Sequence, residues 1–101
     1  MIMVSVAYPA GLRFDLDYYR QTHMPLVQSR WGSLGLTEAR VFRGTGAPGG
    51  GAPAFQIIAL LTFGSQQDFE RAVAQHGAEV MGDIKNFCDG SPIVQINEPV
   101  M

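Results

Sequence analysis

Residues 54 to 63, AFQIIALLTF, read as a strand that is apolar on both sides. Alternation sets Phe55, Ile57, Ala59, Leu61 and Phe63 on one face and Gln56, Ile58, Leu60 and Thr62 on the other. A strand like this needs cover on both faces. The chain has 101 residues, the length of one domain, and its own helices can cover only one face of a sheet. The second face is expected to bury itself against another copy of the chain. The charge content agrees: 16% of residues are charged, against about 25% in ordinary globular domains.

The remaining elements fall on either side of this strand. IMVSVAY, residues 2 to 8, alternates Ile2, Val4, Val6 and Tyr8 against Met3, Ser5 and Ala7, the pattern of a strand. Pro9-Ala10-Gly11 ends it. A helix follows with Asp15 or Asp17 as N-cap, and Trp31-Gly32 and Gly35 close the helical region. TEARVFR, 37 to 43, reads as a second strand. GTGAPGGGAP, 44 to 53, reads as a long hairpin loop. A phosphate cradle would need a helix after the glycines and, in the P-loop form, a lysine; here a strand follows. A second helix starts at Ser65, with Asp68 in a capping-box-like position, and Gly77 is expected to stop it. A short helical piece over 78–87 presents Val80, Ile84 and Phe87 on one side. The last strand runs from Ile93 to Asn97. The order β-α-β-β-α-β predicts an α+β, ferredoxin-like fold in a single domain, residues 1–101: a four-stranded antiparallel sheet with both helices on one face.

Composition excludes several partners. The formal net charge is −2 and Lys85 is the only lysine, so no basic patch for nucleic acid is expected. The run from Phe55 to Phe63 is too short to cross a bilayer and contains Gln56, so no membrane association is expected. MIMVSVAYP carries no positive n-region, which predicts a cytoplasmic protein. Cys88 is the only cysteine; no internal disulfide is possible and nothing near it in sequence activates it as a nucleophile. No HxH, HExxH or CxxC spacing is present, so no metal site is expected.

Candidate chemistry lies in DLDYYRQTHMPLV, residues 15 to 27. Leu16, Tyr19, His23 and Leu26 or Val27 recur at helical spacing and point toward the sheet. His23 therefore faces inward among apolar residues. Two residues later, Pro25 can donate no hydrogen bond to the carbonyl of Gln21, and it disfavours helical dihedrals at Met24. A kink or restart is expected there, leaving backbone groups free beside the imidazole. One reading makes His23 a structural histidine bonded to a freed carbonyl. The other makes it a general acid or base in a pocket between helices and sheet, with Tyr19, Trp31, Phe87 and Tyr8 as neighbours. Tyr18 and Tyr19 cannot face the same way, and spacing favours Tyr19 as the inward one. His76, at the expected end of the second helix, is read as a partner of the helix dipole.

Tyr8-Pro9, Phe14-Asp15, Asp17-Tyr18-Tyr19, His23-Met24-Pro25-Leu26-Val27 and the later Phe87, Asp89 and Pro92 together resemble the EthD family, named for ethyl tert-butyl ether degradation. The resemblance implies a dimeric α/β-barrel built from ferredoxin-like protomers. That superfamily includes cofactor-free monooxygenases, polyketide cyclases, muconolactone isomerases, decarboxylases and haem-binding members. EthD proteins are often called oxidoreductases or accessory proteins of degradation and biosynthetic clusters. The histidine matching His23 is the residue singled out in the family. The implied function is an enzyme of oxidoreductase, isomerase or cyclase, or decarboxylase type, acting on a hydrophobic cyclic or aromatic compound. His23 and Tyr19 would be its catalytic residues, and Tyr8, Trp31 and Phe87 its substrate-binding walls. No cofactor is expected: the chain has no nucleotide-binding glycine fingerprint, and no second histidine sits where a haem would need it. The rival reading is a non-catalytic carrier of a hydrophobic ligand, or an accessory protein for an oxygenase.

Overall fold

The doubly apolar strand β3 (Phe55–Phe63) is one of the two inner strands of a four-stranded sheet. The structure, a computed structural model, describes residues 1–101. β1 (Ile2–Pro9) lies beside β3, and the edges are β2 (Leu36–Arg43) and β4 (Ile93–Asn97), giving the order β2-β3-β1-β4. All pairings are antiparallel. Between β1 and β2 the chain forms α1 (Leu16–Tyr18), a π-helical stretch (Tyr19–His23) and α2 (Met24–Trp31). Between β3 and β4 it forms α3 (Gln66–Gly82). This is the α+β, ferredoxin-like arrangement predicted from the element order.

The register decides which residues meet the helices. Val4 pairs with Leu61, Val6 with Ala59 and Tyr8 with Ile57, so these side chains share a face. Val4, Tyr8, Ile57, Ala59, Leu61 and Phe63 are buried on it. Two clusters form beneath the helices. One joins Trp31, Phe63 and Ala72 with the aliphatic residues of β1 and β3. The other is aromatic, centred on Tyr8, Tyr19 and Phe87. Trp31 donates its indole N–H to the carbonyl of Ala72 at 2.9 Å, tying α2 to α3. By alternation the opposite face carries Met3, Ala7, Ile58, Leu60, Phe42 and Ile93. Phe42 and Ile93 are exposed, and the core clusters draw nothing from this side.

Caps form where the sequence places them. Asp15 accepts the amide of Tyr18 at 3.0 Å, and Ser65 accepts the amide of Asp68 at 3.1 Å. Gly35 has φ +104°, and a Cβ there would sit 2.6 Å from that of Asp68, so only glycine lets the chain pass under the start of α3.

Three expectations are corrected. Gly77 does not stop the second helix, which continues to Gly82. Gly77 takes no positive φ, and Ala78, Glu79, Val80 and Met81 are good or adequate helix formers that carry the ladder past it. A 3₁₀ turn, Ile84–Asn86, follows. His76 thus lies inside α3 and not at its C-terminus, so the dipole argument does not apply to it. Its Nδ1 stands 4.0 Å from Glu79 on the partly exposed side. Pro25 does not push Met24 out of the helix either: Met24 has φ −66° and ψ −38°. The chain absorbs the proline by widening one turn.

Candidate functional site

The widened turn sets the site. The amide of Met24 bonds to the carbonyl of Tyr19, five residues back, where an α-helix would reach four. Pro25 then falls in the first turn of α2, where an amide donor is not required. One residue is effectively inserted, and Tyr19 and His23 come to one side with stacked rings, centroids 5.4 Å apart and planes at 21°. Such π-turns occur frequently at functional sites. Both side chains are buried: Tyr19 is 1% exposed and His23 4%. The Phe87 ring lies 4.5 Å from the imidazole and 5.1 Å from the Tyr19 ring. Tyr8 completes the cluster at 5.9 Å from Tyr19.

The imidazole is held by a carboxylate that sequence reasoning missed. His23 Nδ1 lies 2.9 Å from Asp83 Oδ2. Asp83 Oδ1 accepts the Tyr18 hydroxyl at 2.6 Å and the Asn86 amide at 2.9 Å. Asp83, just past α3, is therefore the hub of three donors. Burial pushes its pKa up, but the hydrogen bonds from Tyr18, Asn86 and His23 outweigh this and hold it below the usual carboxylate range. Burial moves the His23 pKa below its ordinary value, with Asp83 opposing only in part. At neutral pH the pair is carboxylate and neutral imidazole. An ionised carboxylate only accepts, so Nδ1 carries the proton and Nε2 keeps its lone pair. Nε2 has no protein hydrogen-bond partner, and no fully buried side-chain polar atom in the chain is unpartnered. Nε2 therefore reaches open space.

That space is a cavity of about 260 Å³ between the helices and the sheet. Of its sixteen lining residues fifteen are hydrophobic; the exception is His23. Tyr8, Tyr19 and Trp31 line it, while Phe87 stands behind, against the imidazole. Trp31 belongs to the other core cluster, and its N–H is spent on Ala72, so it offers the cavity only an apolar wall. Burial raises the pKa of both Tyr8 and Tyr19 far above neutrality, so both hydroxyls keep their protons and can donate. Cys88 is buried beside the aromatic cluster. No group of three or more His, Cys, Asp or Glu side chains comes together, and no helix is long and apolar enough to cross a membrane.

Asp83 and Asn86 could have been found. They stand three apart within a stretch whose Val80, Ile84 and Phe87 were read as inward. With the helix stopped at Gly77, that stretch had no fixed orientation. Tyr18 was rightly set outward, but its long side chain reaches across to Asp83.

The comparisons with known proteins agree with this architecture. The EthD domain profile matches residues 12–91, which include every group of the His23–Asp83 network. The chain belongs to the EthD family. An EthD-like protein of Ralstonia eutropha JMP134 is 40% identical, with a TM-score of 0.90 over 99% of this chain and 92% of that one. An EthD family protein of Bacillus halodurans C-125 has 20% identity and a TM-score of 0.76, over 99% and 100% of the two chains. The fold is shared with a mutant of SnoaB, a cofactor-independent oxygenase from Streptomyces nogalater, at 11% identity and a TM-score of 0.70, over 99% and 92%. No curated protein matches significantly.

Proposed function

We propose that this EthD protein is an enzyme that moves a proton on a hydrophobic cyclic or aromatic compound held in the helix–sheet cavity. His23 is the acid–base group. Its free Nε2 takes a proton from the substrate, Asp83 stabilises the imidazolium that results, and the proton is returned to the product. An apolar enclosure strengthens this pairing, since charge formed there is poorly screened by water. Tyr19 donates a hydrogen bond to a substrate oxygen on which negative charge develops, while Tyr8 and Trp31 form walls and Phe87 backs the imidazole. The chemistry fits isomerisation, cyclisation or cofactor-free oxygenation, each of which begins at an acidified C–H or O–H, and decarboxylation, in which the imidazole carries the carboxyl proton to the carbon that loses CO2. The homodimer expected from the bare sheet face belongs to the same reading, because it closes the side of the sheet away from the cavity.

One observation carries the reading: an imidazole, with one nitrogen anchored on a carboxylate and the other unbonded, in a cavity otherwise lined by aliphatic and aromatic residues. The test is a turnover screen of cyclic and aromatic compounds with acidic protons. His23→Ala should lower turnover by about 10²- to 10⁴-fold while the protein stays folded and still binds. Unchanged turnover in the folded variant would remove His23 from the mechanism. The lining, 15 of 16 residues hydrophobic, also suits a carrier; ligand binding without any product, across the whole screen, selects that reading.

A further inference from the structure

A separate groove shares part of its wall with the cavity. Met81 and Ile84 line both, and the groove is open, with a volume of about 500 Å³. That groove mixes charged and apolar side chains. Its walls include Arg13, Lys85, Asp89 and Ser91. Arg30 and Arg71 are tied to Glu79 and Asp68, whereas Arg13 and Lys85 enter no ion pair. Asp89 contributes one negative charge, and its Oδ1 is engaged by the backbone amide of Arg13 at 2.9 Å. Two cations and one carboxylate leave the groove at +1, on a chain whose net charge is −2. Met81, 48% exposed, belongs to both linings and has an unbranched, flexible side chain.

We infer that the ligand is an aromatic or cyclic compound bearing an anionic substituent: the ring fills the apolar cavity against His23, and the carboxylate, sulfonate or phosphate passes Met81 to Arg13 and Lys85. This deepens the reading of the cavity as a ligand site and rests on it. Within the cavity His23 and Tyr19 address the reacting edge of a ring; a cationic groove on the other side of Met81 and Ile84 would anchor a far substituent. Met81 then sets which ring sizes and linkages pass.

The experiment uses the intact protein and two probes with the same rings. 8-Anilino-1-naphthalenesulfonate carries the anion; N-phenyl-1-naphthylamine lacks it. Both brighten in apolar surroundings, and Trp31, the only tryptophan, lines the cavity and acts as energy-transfer donor. The sulfonate is expected to bind about three- to tenfold more tightly, the range of two partly exposed ion pairs. Salt should shrink that preference, and an Arg13→Gln/Lys85→Gln protein should lose it while binding the neutral probe as before. Equal binding of the two probes overturns the inference, as does a preference that survives the double substitution. Failure of the neutral probe to quench Trp31 instead overturns the cavity as ligand site, and this inference with it.

Discussion

At the residue scale, the account turns on how His23 is charged. Its pKa is lowered chiefly by burial, so the neutral base is present at neutral pH and is lost only as pH falls below the ordinary value of 6.5. Turnover should therefore be flat above about pH 6.5 and decline in acid. Stability follows the same group. The unfolded chain protonates at a higher pH than the folded one, so stability falls as pH drops below about 6.5 and is unaffected by this group above it. Urea melts between pH 5 and pH 8 read the direction. Asp83 acts through the imidazole. Asp83→Asn removes the charge that fixes Nδ1–H and stabilises the imidazolium. It should lower kcat by about 10- to 100-fold and shift the acid limb of the pH profile to lower pH. A merely structural role would leave that limb in place. The inward orientation of His23 and Tyr19 was legible in the sequence because both sit on a helical stripe. Asp83 was not, because its orientation depends on a helix end that glycine propensity misplaces.

Among the elements, local rules succeeded where the backbone is regular. Strand positions followed from alternation, and both N-caps followed from Asp15 and Ser65. Ser65→Ala should cost about 1 kcal/mol in denaturant unfolding. Gly35→Ala should cost about 1–3 kcal/mol, since it forces φ +104° and presses on Asp68. The rules failed where tertiary packing chose between alternatives. Gly77 reads as a stop, yet Val80 beyond it is buried, and the helix continues to Gly82 to seat it. Pro25 reads as a kink, yet one wide turn satisfies the same constraint and brings His23 under Tyr19. Pro25→Ala removes the need for that turn and tests its role: loss of the His23–Asp83 hydrogen bond, seen as a changed His23 titration, is the expected result.

For the whole molecule, the doubly apolar β3 is the governing feature. One of its faces meets the helices and lines the cavity; the other carries Ile58 and Leu60, the face that the proposed homodimer would bury. Light scattering should give twice the 11.0 kDa chain mass, and Leu60→Arg, a charge set in that face, should return the protein to a monomer without loss of the fold. The family and fold were legible because they rest on patterns several residues long. The cavity was legible only as a location, since its volume and the exposure of the imidazole to it depend on how the helices lie across the sheet. The most direct test is the NMR titration of the His23 imidazole, with and without bound N-phenyl-1-naphthylamine. The account predicts the Nδ1–H tautomer and a pKa below 6.5, falling further when the probe displaces water from the cavity. A pKa at or above 6.5, or a titration that the bound probe leaves unchanged, would contradict it.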